Sequence, residues 1–112
     1  MNKKIYISGK IKDLPLELAK KNFETAKEYL EEKGWDAVNP FDIDPYIMED
    51  IEDGESREIK YDEYIRGDLQ VLCECNAIYM LDNWQYSNGA KIEIRTAIDL
   101  NLDIYFQKTN QL

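Results

Sequence analysis

The spacing of apolar residues changes several times along the chain, and each change marks an element. Residues 4–8, Lys-Ile-Tyr-Ile-Ser, are β-branched and aromatic and are followed by Gly9, the pattern of a short buried strand. From Leu16 the period becomes helical. Leu16, Ala19, Phe23, Ala26, Tyr29 and Leu30 recur three and four residues apart, which puts them on one face of an amphipathic helix. Asp13 is a candidate cap, Pro15 suits the first turn, and Gly34 marks the C-terminal end. Residues 35–39 read as a second strand, stopped by Pro40.

Residues 41–58 are strongly acidic, with Asp42, Asp44, Glu49, Asp50, Glu52, Asp53, Glu55 and Glu58 against Arg57 alone. A connection of this length holds local helix, a functional flap or a solvated acidic loop. Residues 56–73 return to a helical period, with Tyr61, Tyr64, Ile65, Leu69 and Leu72 on one face. The run Ala77-Ile78-Tyr79-Met80-Leu81 is almost continuously apolar, as in a strand covered on both sides. A polar and aromatic loop over 82–88 leads to a helix over 89–101, with Ala90, Ile94, Ala97 and Ile98 facing inward. Residues 102–106 form the last strand.

Strands alternating with helices specify an α/β fold. The expected architecture is a mostly parallel sheet of four or five strands, the first strand central and helices on both faces. Such sheets bind ligands beyond the carboxyl ends of their strands, which directs attention to residues 8–13 and 82–93.

Composition narrows the function. A chain of 112 residues with 44% apolar content is expected to form one domain with its own core. The net charge of −9 repels phosphate backbones and anionic lipid, so neither nucleic acid nor membrane is an expected partner. No apolar run approaches the roughly 20 residues of a membrane span, and Ile5-Tyr6-Ile7 is too short for a signal-peptide core. The expected setting is cytoplasmic and reducing. The absence of histidine excludes Ser-His-Asp and Cys-His nucleophile systems and the common zinc-enzyme sets. Acid–base work must then fall to carboxylates, Tyr, Lys or Cys. Cys73 and Cys75 make a poor metal site without further soft ligands and read as inert thiols.

Three positions are candidates for chemistry. Ser8-Gly9-Lys10-Ile11-Lys12 is either an ordinary strand-to-helix turn or a ligand loop. It contains no phosphate-loop fingerprint. In Ser87-Asn88-Gly89-Ala90-Lys91-Ile92-Glu93, Gly89 permits close backbone approach, and the free N–H groups of a helix start suit an anion. Glu93 then either complements the helix dipole or turns back over the strand ends, where a carboxylate can attack an electrophilic carbon. Asp68, among Leu69, Val71 and Leu72, is either a surface carboxylate paired with Arg66 or Lys60 or part of the same site.

Together, Ile5-Tyr6-Ile7-Ser8-Gly9-Lys10-Ile11, Asp68-Leu69 shortly before the Ala77–Leu81 run, and Ser87-x-Gly89-x-x-x-Glu93 resemble the nucleoside 2-deoxyribosyltransferase superfamily. The similarity is strongest to its small branch, the 2′-deoxynucleoside 5′-monophosphate N-hydrolases. Asn39-Pro40 and the loop Asp82-Asn83-Trp84-Gln85-Tyr86-Ser87-Asn88-Gly89-Ala90 are similar to the DUF4406 family, short proteins of bacteria and phages placed in that superfamily. In two places the chain departs from the pattern: Asn76 stands where the group usually has Asp, and the Trp84 and Tyr86 pair is not typical of the hydrolases.

The resemblance implies a small Rossmann-like (flavodoxin-like) three-layer sandwich. It implies that Glu93 attacks C1′ of a deoxyribose and displaces the base. Asp68 then orients Glu93 or assists the leaving base, and Tyr6 lies beside the nucleophile. Gly9, Ile11, Lys12, Ser87 and Gly89 would line the sugar and phosphate. Ser87 binds the phosphate where the nucleoside transferases carry an acid. No metal or organic cofactor is implied. The implied partners are a small nucleotide or nucleoside and further copies of the chain, as a homodimer or higher oligomer. The alternatives are a non-catalytic protein of the same fold that binds or sequesters a nucleotide, and an acidic interaction protein using residues 41–58.

Overall fold

Alternation along the first strand sends Ile5 and Ile7 to one side and Tyr6 and Ser8 to the other, and all four are buried. A computed structural model describes residues 3–43 and 57–108, with side chains from Ile65 onward in the helix that opens at Arg57. The elements run β1 (Lys4–Ser8), α1 (Leu16–Glu32), β2 (Asp36–Val38), a short α2 (Pro40–Ile43), α3 (Arg57–Cys73), β3 (Ala77–Met80), a 3-10 turn (Trp84–Tyr86), α4 (Asn88–Asp99) and β4 (Asp103–Phe106).

The four strands form one parallel sheet in the order β2-β1-β3-β4. Tyr6 lies opposite Val38 on one side and Ile78 on the other, and Ser8 lies opposite Met80. The first strand is therefore interior, as the alternation of elements requires. On one face, Ala19, Phe23, Ala26 and Leu30 of α1 pack on Ile5, Ile7, Tyr79 and Leu81. On the other, Leu72 of α3 and Ala90 and Ala97 of α4 pack on Tyr6, Ile78 and Met80. Each fully buried Phe, Leu or Ile contributes about 1.5–3 kcal/mol. The result is a small Rossmann-like three-layer α/β sandwich. Among the described residues no helix is long and apolar enough to cross a membrane.

Two of the three long helices, α1 and α4, end through a left-handed residue. After α1, Gly34 (φ 93°) follows the last turn and Trp35 N donates to Leu30 O at 3.1 Å. After α4, Asn101 (φ 59°) does the same, with Leu102 N donating to Ala97 O at 3.0 Å. These bonds satisfy carbonyls that the helix leaves open.

Some expectations need correction. Asp13 does not cap α1. It turns the chain in the left-handed region (φ 68°), and Pro15 occupies the cap position without a side-chain hydrogen bond. Pro40 does more than stop a strand: it opens α2, and Asn39 Oδ1 accepts the Phe41 N–H at 3.0 Å. This seats Phe41 edge-on to Phe23, with centroids 5.5 Å apart. Helix α4 runs from Asn88 to Asp99 and not on to residue 101, and Ile98 is 52% exposed instead of facing inward. Residues 44–56 of the acidic stretch, and the side chains of Tyr61 and Tyr64, lie outside the described residues.

Candidate functional site

The order of the sheet reverses direction between β1 and β3, since β1 leads outward to β2 while β3 leads outward to β4. Crevices at such reversals are where open α/β sheets take their ligands. The loops that leave these two strands are tied together there. Leu81 N donates to Ser8 O at 2.8 Å. Lys10 N donates to Asn83 Oδ1 at 2.9 Å, and Lys10 Nζ donates to the Tyr86 carbonyl at 2.9 Å. Gly9 lies so close to Leu81 that a Cβ would sit 2.6–2.9 Å from three of its side-chain atoms. No larger residue fits at this position without a shift.

Ser87 starts α4. Its backbone is extended, and its hydroxyl oxygen accepts the Ala90 N–H at 3.1 Å, as expected of a serine cap. Gly89 falls in the first turn. About one turn further on, Glu93 shares an inward face with Ala90 and Ala97 and reaches β1. Tyr6 Oη donates to Glu93 Oε2 at 2.8 Å and Ser8 Oγ donates to Oε1 at 2.6 Å. Each carboxylate oxygen thus has a hydroxyl donor from the same strand, two positions apart. Glu93 is 5% exposed and Ser8 fully buried.

Asp68 completes the cluster. It is 8% exposed, so it is not the surface carboxylate its apolar neighbours left open. It meets the Tyr6 hydroxyl in a hydrogen bond from the α3 side. Tyr6 therefore stands between two acids.

Burial dominates the electrostatics of the site. It pushes the Glu93 carboxyl up to about 7, while the hydrogen bonds from Ser8 and Tyr6 pull the other way. Burial is also the main cause holding Tyr6 well above its ordinary value. The charges of Glu93 and then Asp68 add to it, as do the hydrogen bonds to both. Tyr6 is consequently a neutral donor across the physiological range. Glu93 changes charge near neutrality, the behaviour expected of a group poised for chemistry.

Tyr6, Asp68 and Glu93 meet in one cluster, with Gly9 beside it at the end of β1 and Ser87 and Gly89 at the start of the helix that carries Glu93. Ile11 is half-buried against the core on the α1 side, and Lys12 is exposed. Lys10 is the lysine that reaches across to the loop preceding Ser87. Trp84 tilts against Phe106 at 6.1 Å and lines a cavity of about 360 Å³ with Met80 and Lys108 beyond β3 and β4. Tyr86 is 74% exposed. The sequence places Ser8, Lys10 and Asn83 in the two candidate loops but gives none of them a role of its own. Ser8 carried a signal, being the polar residue in phase with Tyr6 within the run that follows Lys4 on β1. Asn83, inside a polar loop, carried none. Among the described residues no three His, Cys, Asp or Glu side chains cluster as metal ligands.

The fold and these contacts define a class: a small Rossmann-like protein with a buried pair of acids around a tyrosine at its sheet reversal. Within that class, the chain matches the family described as a domain of unknown function, DUF4406, over residues 3–106, and it belongs to that family. No curated protein matches it.

Proposed function

We propose that this protein cleaves, or exchanges, the N-glycosidic bond of a 2′-deoxynucleoside 5′-monophosphate, with Glu93 as nucleophile. The observation that carries the reading is the placement of Glu93. It is a buried carboxylate at the carboxyl end of a central strand, gripped at both oxygens and backed through Tyr6 by a second acid. Resemblance to the nucleoside 2-deoxyribosyltransferase superfamily assigns the same three residues, Tyr6, Asp68 and Glu93, to catalysis.

The chemistry follows from the parts. A glycosidic bond breaks through an oxocarbenium-like state that an adjacent carboxylate stabilises. An oxygen of ionised Glu93 forms a bond to C1′. The base departs with the electron pair of the C1′–N bond and takes up a proton, for which Asp68 is the nearby acid. The sugar is left as an ester of Glu93, splitting one difficult displacement into two easier ones. Water then attacks C1′ and passes its proton to the Asp68 carboxylate left by the first step, which releases the sugar phosphate and restores both acids, or a second base takes the sugar. At the other end, the start of α4 offers N–H groups, and the capping Ser87 retains a hydroxyl proton to donate. Lys10 adds a positive charge beside them. An uncharged Ser87 admits a phosphate that an acid there would repel. In this reading the working form is a homodimer or higher oligomer whose pocket is completed near the interface.

The test is a panel of deoxynucleoside monophosphates assayed for free base, beside calorimetric binding. Wild-type protein is expected to release base. Glu93→Gln and Glu93→Ala are expected to bind nucleotide with little change and turn nothing over, because the lost interaction belongs to the transition state. Binding without release from any nucleotide, equal in the Glu93 variants, would replace this reading with a sequestering protein.

A further inference from the structure

Ser8 has no role in the resemblance that points to Glu93, Asp68 and Tyr6, yet its hydroxyl approaches Glu93 more closely than Tyr6 does, at 2.6 Å against 2.8 Å. Its own position is set by the sheet. Ser8 pairs opposite Met80, its carbonyl accepts Leu81 N, and Gly9 is wedged against the Leu81 side chain. Its Cα is thus held by backbone on the β3 side and by a tight contact immediately after it. A glutamate on a helix, by contrast, has three side-chain torsions, and the last of them is broad. Tyr6 alone would hold one oxygen and leave the carboxylate free to turn about its final bond. A second donor two residues along the same strand fixes the plane.

We propose that Ser8 is a positioning residue for Glu93: its hydroxyl, held by the sheet, locks the carboxylate plane in partnership with Tyr6 and favours the ionised form that reacts. Hydrogen bonds to a carboxylate stabilise its charge against burial, and Ser8 is the larger of the two such influences on Glu93. The described titratable groups around Glu93 are Tyr6 on β1 directly and Asp68 on α3 through Tyr6. The β3 residues that pack in the same layer as Tyr6, Ala90 and Ala97 are Ile78 and Met80, which do not titrate. The kinetic consequence rests on Glu93 being the nucleophile, whereas the titration of Glu93 does not.

Two variants test it, Ser8→Ala and Ser8→Cys, the second nearly isosteric and a weaker donor. Carbon-13 labelling of glutamate carboxyls follows the Glu93 signal, assigned by its loss in Glu93→Gln. Its midpoint is expected to rise by about one pH unit in Ser8→Ala, with Ser8→Cys between. If deoxynucleotides are turned over, kcat should fall about tenfold or more while KM stays within about twofold, and the pH profile should move with the titration. If Ser8→Ala does not fold, Ser8→Cys alone carries the comparison. Wild-type midpoints in every folded variant would overturn the proposal. If the wild-type protein turns over no nucleotide, the functional reading fails, and the carbon-13 titration still decides the role of Ser8.

Discussion

Replacing Glu93 with Gln should stabilise the protein at alkaline pH, and by an amount the site itself sets. Folding moves the Glu93 carboxyl from its ordinary 4.5 up to about 7. Below the lower value the proton is bound in folded and unfolded chains alike, and burial of the group carries no charge penalty. Between the two values the unfolded chain has released the proton and the folded one still binds it, so stability falls as pH rises. Above about 7 both forms are ionised and the penalty is complete. At about 1.4 kcal/mol per pH unit, the span amounts to roughly 3 kcal/mol. Gln never ionises. Its amide accepts from one hydroxyl and must donate to another oxygen, a rearrangement costing about 1 kcal/mol, but that cost does not vary with pH. Subtracting wild type from variant also removes other groups that titrate alike in both proteins. Urea unfolding of the two proteins should therefore show a difference that grows in favour of Glu93→Gln by about 2–3 kcal/mol from about pH 5 to about pH 8.5. With the slopes usual for small domains, that is a relative midpoint shift of about 1–2 M. A difference that is flat with pH, or that grows in favour of wild type, would refute the reasoning. It would mean that Glu93 is neither desolvated nor neutralised as its contacts imply.

Other expectations follow from single contacts. Ser87→Ala should lose about 1 kcal/mol through its cap to Ala90 N, whereas Ser87→Asp keeps a capping oxygen and should unfold near wild type while binding phosphorylated ligands more weakly. Thermal unfolding beside nucleotide calorimetry separates the two effects, and equal phosphate affinity in Ser87→Asp would remove Ser87 from the site. Base release, measured as kcat/KM, should rise with pH through about 7 as Glu93 ionises, and a profile that falls there would deny it the nucleophile's role. Gly9→Ala forces a methyl within 3 Å of Leu81 and should cost about 1–3 kcal/mol in urea unfolding; an unchanged midpoint would show that the loop has room to yield.

Where one period dominates, the sequence reads well. The α1 face from Leu16 to Leu30 is the face that packs on the sheet, and the apolar run from Ala77 gives a strand buried on both sides. The readings that failed concern ends and phases. Ile98 was placed inward because it is apolar and four residues from Ile94, but α4 closes within a residue of it, where the helix has already turned toward solvent. Asp13 has the chemistry of a cap, and a local turn uses it differently: the left-handed residue redirects the chain and Pro15 begins the helix without help. Asp68 was ambiguous for another reason. Its meaning depends on a hydroxyl on β1, a contact far away in sequence that no local period encodes.

Glu93 was the residue whose helical phase held more than its type suggested. Ala90, Glu93 and Ala97 are spaced by three and four, which is the spacing of an inward stripe. A glutamate within such a stripe is expensive, by roughly 3 kcal/mol once ionised. Its neighbours on that face are alanines, which leave lateral room for the carboxylate and bring helix and sheet close together. On the opposing strand, the two positions that share a face, Tyr6 and Ser8, are the two that carry hydroxyls, and each meets one oxygen of Glu93. A helix acid flanked by small residues, facing alternate hydroxyls on a central strand, weakens the fold at the place where it buries an ionisable group. An apolar residue at position 93 would pack this face without that cost. The acid at position 93 changes charge near neutrality and sits at the sheet reversal, and it is on this one costly group, not on the packing around it, that the proposed chemistry rests.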